Sequence, residues 1–176
     1  MLNEVINSIK GIIMIVMIAF ALLMNVIKPK QITTPNTIYN IERNKELTKY
    51  LAVALNAYEI KNITIVIRYL TAEEFIYLST PLGVTKAITQ YKEGVYCISL
   101  IPTSPEESIS LIAHEIVHVK QLYDKRIIYT DTSFIWKGKE MYNAIPIYDE
   151  RPWEFEAMTK EDSITNIIKD KINFVN

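Results

Sequence analysis

Cysteine occurs once, at Cys97, so no disulfide can form within the chain and the redox compartment stays open. Its neighbours Val95, Tyr96 and Ile98 mark it as a small residue of an apolar strand more readily than as a reactive thiol. Neither sign of charge predominates: the formal net charge is −1, so bulk electrostatics do not mark the chain as a nucleic-acid binder. There is no internal repeat and no low-complexity tract. A length of 176 residues fits one domain with appendages, not two full domains. Glycine is scarce, at four residues, and histidine is scarcer still, at two.

Those two histidines, His114 and His118, stand four residues apart in His114-Glu115-Ile116-Val117-His118. On a helix, positions i and i+4 lie one above the other on the same face. Two imidazoles so placed can grip one Zn²⁺, with Glu115 beside them to act on a metal-bound water. The bland reading is a satisfied core histidine repeated one turn later, but the absence of histidine elsewhere favours the metal site.

At the other end of the chain, Gly11–Ile27 carries no charge and one strongly polar side chain, Asn25. As a helix these residues reach roughly 25 Å, a little short of a ~30 Å hydrocarbon core. Leu2, Val5, Ile6 and Ile9 would lengthen the apolar helix by a turn or two. A single-pass membrane anchor over residues 1–30 is expected, because no polar stripe exists that would let the segment pack as an amphipathic core helix. A cleaved signal peptide is the alternative: Ala19-Phe20-Ala21 has the small-x-small form, although apolar residues continue beyond it. Lys28 and Lys30 against Lys10 give only a slight lean toward a cytoplasmic C-terminal domain, and the orientation is left open. Residues 31–41 read as linker, with Pro29 to Asn36 polar and carrying two prolines, and residues 42–176 as the domain.

Within the domain, apolar spacing predicts a helix over Glu42–Tyr58, and β-branched alternation predicts a strand over Asn62–Arg68. Thr71-Ala-Glu-Glu74 has capping-box form and opens a short helix to about Leu78. Val84–Tyr91 and Val95–Ile101 read as strands joined by Lys92-Glu93-Gly94, the second of them an exposed edge able to align an extended peptide. Ser104-Pro105-Glu106-Glu107 is a second capping box and opens a helix through Tyr123 that carries the histidines. Ile127–Lys139 reads as short strands and turns, Tyr142–Asp149 as irregular, and Pro152 starts a last helix to about Ile172.

A catalytic zinc needs about three protein ligands and one open position. With both histidines used and the cysteine in a strand, the third ligand is expected to be a carboxylate. Glu154, in the first turn after Pro152, is the best candidate, and Glu156 is the fallback. Read alone, these two glutamates are favourable charges at a helix N-terminus.

Three segments, Ala113-His-Glu-Ile-Val-His-Val-Lys-Gln121, Trp136-Lys-Gly-Lys139 and Pro152-Trp-Glu-Phe-Glu-Ala157, resemble the gluzincin metallopeptidases, in particular small zincin-like proteins of bacteriophages and bacteria. The resemblance covers about Val95 to Ala157, and its two helical motifs are the specific parts. It implies an α+β minimal zincin: a small, mainly antiparallel sheet, an active-site helix and a C-terminal helix. It implies zinc held by His114, His118 and Glu154, Glu115 as the base, and a peptide or protein substrate. The chain departs from the pattern at Met158, where an aspartate often supports a ligating histidine, leaving Glu156 or Asp149 as substitutes. Tyr142 and Tyr148 precede the last helix and read as packing residues. The rival from another class is a membrane-tethered, zinc-stabilised binding or structural protein without turnover, against which an intact Glu115 argues. A nucleic-acid-linked zincin is disfavoured by the neutral charge and the apolar N-terminus, and no nucleic-acid partner is expected.

Overall fold

The computed structural model describes residues 35–79, 85–130, 134–141 and 151–173, all within the unit Thr34–Asn176. The expected anchor over residues 1–30 lies outside the described residues, as do Tyr142, Tyr148 and Asp149. Among the described residues no helix is long and apolar enough to cross a membrane.

The fold is α+β. In chain order it comprises β1 (Thr37–Asn40), α1 (Lys45–Ala57), β2 (Thr64–Tyr69), α2 (Ala72–Leu78), β3 (Ala87–Lys92), β4 (Val95–Leu100), α3 (Pro105–Tyr123), β5 (Ile127–Tyr129), β6 (Phe134–Trp136), β7 (Lys139–Met141) and α4 (Pro152–Asn173). The first four strands form one sheet in the order β1-β2-β4-β3, and the last three form a small antiparallel sheet. The larger sheet is mixed, correcting the expectation of a mainly antiparallel one: β1 and β4 both run parallel to β2, and only β3 is antiparallel. The physical reason is the helical connection after β1, which returns the chain to the same end of the sheet before β2 begins.

Two further expectations are corrected. Thr37–Asn40, read as linker, is a strand on the sheet edge; four residues are too few for alternation to register. Val95–Ile101, read as an exposed edge, is central, because the β3–β4 hairpin folds inward and leaves β3 outermost. Its turn has positive φ at both Glu93 and Gly94, the combination that matches the twist of a two-residue hairpin. The sequence does carry the distinction. β3 is flanked and interrupted by Lys86, Gln90 and Lys92, as edge strands often are, whereas β4 is almost continuously apolar.

Ile65, Ile67, Tyr96, Ile98 and Leu100 turn one face of the sheet toward α1 and α3, and α4 packs across both helices from outside. Cys97 points to the other face beside Ser99 and is only partly buried. Burying large aliphatic side chains contributes about 1.5–3 kcal/mol each, so this single core is what holds the helices in place.

Candidate metal centre

Helix α3 is positioned before its chemistry is. Ser104 accepts the Glu107 N–H at 3.2 Å, Pro105 sits where no N–H is needed, and Glu106 and Glu107 favour the positive end of the helix dipole. The expected box is only half closed: the Glu107 carboxylate turns instead to Lys86, at 2.8 Å, and to the Thr103 hydroxyl. The helix ends in a Schellman turn, with Lys125 at φ 55°, its N–H on Leu122 O, and the Arg126 N–H on Gln121 O. Ile109, Ile112, Ile116, Val117 and Val119 are buried around the histidine face, so His114 and His118 have little freedom.

Helix α4 brings the third group. Glu154 is 9% exposed and aims its Oε2 at both imidazoles, 3.3 Å from His114 Nε2 and 3.2 Å from His118 Nε2. The two Nε2 atoms are themselves 3.2 Å apart. Metal–ligand bonds of ~2.0–2.1 Å at tetrahedral angles separate neighbouring ligand atoms by about 3.3 Å, so this near-equilateral triangle has the dimensions of three corners of a tetrahedron. His114, His118 and Glu154 can therefore hold a metal ion.

The outer hydrogen bonds point the same way. His118 Nδ1–H donates to Gln121 Oε1 at 2.9 Å, and the Gln121 amide is oriented by its own donation to Trp153 O at 3.0 Å. His114 Nδ1–H donates to Glu161 Oε2 at 3.2 Å, while Glu161 Oε1 accepts from the Ser110 hydroxyl. With both Nδ1 atoms committed as donors, the neutral rings turn both Nε2 lone pairs inward, onto a carboxylate. Three electron pairs converging at these distances call for a cation.

Electrostatics agree. Burial opposes charge on His114, but Glu154 and Glu115 outweigh it and the net shift is upward. Against the same opposition His118 is carried up to about 9. Burial raises the Glu115 carboxyl, with His118, the Thr89 hydroxyl and His114 pulling it back. Protons can satisfy this demand for positive charge, and so can a metal ion, whose binding would release them.

Glu115 is 5% exposed and lies under edge strand β3, where Thr89 Oγ1 donates to its Oε2 at 2.7 Å and also faces its main-chain O at 3.2 Å. Glu156, the fallback ligand, does not join the cluster. Both its oxygens accept from Arg126 Nη1, at 2.6 and 2.7 Å, fastening the start of α4 to the turn after α3. Beside that clamp, Trp136 meets Trp153 edge-on with ring centroids 6.0 Å apart. The Trp136-Lys-Gly-Lys139 segment thus has a mechanical role: its turn, with positive φ at Lys137 and Gly138, sets an indole against the first turn of α4.

Sequence reasoning missed Glu161, Gln121, Thr89 and Arg126. Helical spacing could have found the first two, since Glu161 follows Glu154 by two turns and Gln121 follows His118 by one. Glu161 takes the supporting part for which Glu156 and Asp149 were considered. Thr89 and Arg126 depend on the inward hairpin and the Schellman turn, for which no local spacing exists. Comparison of the chain with family models, with curated proteins and with solved structures finds no match.

Proposed function

We propose that this chain is a zinc-dependent peptidase of the gluzincin type on a minimal zincin fold, tethered to a membrane through Gly11–Ile27. The observation that carries the reading is the triangle of inward-facing Nε2, Nε2 and Oε2 atoms at 3.2–3.3 Å with a buried carboxylate, Glu115, next to it. A purely structural metal site has no use for that carboxylate. A bound zinc would supply an acidified water and polarise a carbonyl. His114, His118 and Glu154 would hold the metal, Glu115 would take the proton of the attacking water, and the same carboxyl would return it to the leaving amine.

The substrate is an extended peptide. Lys86 O accepts from Ile101 N at 2.9 Å, so in the β3–β4 register Ile88 and Gln90 also bond inward. Ala87, Thr89 and Tyr91 therefore direct their main-chain N–H and C=O groups outward, and among the described residues no strand pairs there. A peptide strand added at that edge would run alongside α3.

The test compares wild type and Glu115→Gln, both loaded with zinc, on an unstructured protein such as casein. Zinc retained in both with cleavage only by wild type is expected. Equal cleavage would overturn the mechanism with Glu115 as base, and cleavage by neither would return the site to a metal-stabilised binding protein. Deleting residues 1–30 is expected to release the protein from the membrane fraction without loss of zinc.

A further inference from the structure

Resting on the peptidase reading, we infer that Thr89 is the positioning residue of the general base, so that substrate seating and base orientation are set by one residue of the edge strand. Glu115 is buried, and a carboxylate there needs a donor to fix which oxygen faces the reacting water. Thr89, a residue only 9% exposed, places its hydroxyl 2.7 Å from Oε2, which commits that oxygen and leaves Oε1 for the proton. Thr89 is also among the β3 residues whose main-chain groups point away from β4. Its two halves therefore have separate duties: the backbone presents a pairing site for an extended peptide, and the side chain holds the base. A peptide paired at this edge braces the strand that carries the hydroxyl. Lys86, immediately before that strand, reaches the Glu107 carboxylate at the beginning of α3, 2.8 Å away.

The separation makes the inference testable, because valine has the shape and strand preference of threonine but lacks the hydroxyl. In the full-length chain loaded with zinc, Thr89→Val is expected to keep zinc affinity within about twofold. On casein its kcat should fall roughly ten- to a hundredfold with KM changed less than about twofold, and Thr89→Ser should restore most of the loss. A second measurement needs no turnover: a peptide hydroxamate, whose hydroxyl must donate to the base, should bind Thr89→Val about tenfold more weakly than wild type. Unchanged kcat and hydroxamate affinity in Thr89→Val would overturn the inference. So would zinc loss parallel to the loss of rate, or a serine variant as impaired as valine, since either marks a merely structural residue. If the zinc-loaded wild type cleaves nothing, the peptidase reading fails by itself, and hydroxamate affinity alone then decides the role of Thr89.

Discussion

Helices α3 and α4 meet at one cluster of side chains but are held in different ways. α3 is clasped on several sides: by β3 and β4, by α1, and by α4, with buried residues distributed around most of its circumference. α4 has a narrow buried stripe of Trp153, Glu154, Ala157, Ile164 and Ile168, with a polar outer surface. Contacts that fix its first turn include Arg126 with Glu156, Trp136 with Trp153, and the Gln121 amide with Trp153 O. The histidines and Glu115 thus sit on a helix enclosed on several sides, whereas Glu154 and Glu161 reach the cluster from α4. A metal ion held between the two would tie them together, and variants on α4 should change metal affinity more than they change the fold.

The largest effect expected on the α4 side is that of Glu154→Gln, which keeps shape but removes the anionic ligand. Zinc affinity should fall on the order of a hundredfold or more in a competitive chelator titration, with the circular dichroism of the metal-free protein unchanged. If affinity survived, α4 would not be part of the site. Glu161→Ala comes next. It leaves His114 Nδ1–H and the Ser110 hydroxyl without their acceptor, and affinity should drop roughly tenfold, as when other partners of ligating histidines are removed.

The smallest effect expected on the metal comes from Arg126→Met. Burial would by itself raise the Glu156 carboxyl, but the Arg126 guanidinium outweighs it and the net shift is downward. A depressed folded-state value means that the pair contributes stability above the unfolded carboxylate range and loses it as pH falls through the folded one. The side chains are 23% and 20% exposed, so screening limits the loss to about 1–2 kcal/mol near neutral pH. Urea titrations should show the gap between variant and wild type closing below about pH 4. A gap independent of pH would mean that Arg126 acts through its packing on Trp136 alone.

How much of this was legible in the sequence follows the same division. The α3 cap, the proline at its start and the histidine spacing are local, and helical periodicity projects them into space without knowledge of the rest of the fold. Thr71 with Glu74 is likewise local, and that capping box closes in full. Sheet order was legible only in part: the lysines and glutamine around β3 and the apolar run of β4 separate edge from centre, but β1 is too short to announce itself. Glu154 and Glu156 differ only in which neighbour each meets. That was settled by Arg126, whose direction is set by the left-handed residue Lys125 in the turn before it.

The central claim, a metal held by side chains of α3 and α4, is tested most directly by counting zinc in the purified full-length chain by mass spectrometry after dialysis. The expected result is one zinc per chain in wild type and in Glu115→Gln, and none in His118→Ala. Zinc absent from wild type, or retained by His118→Ala, would contradict it.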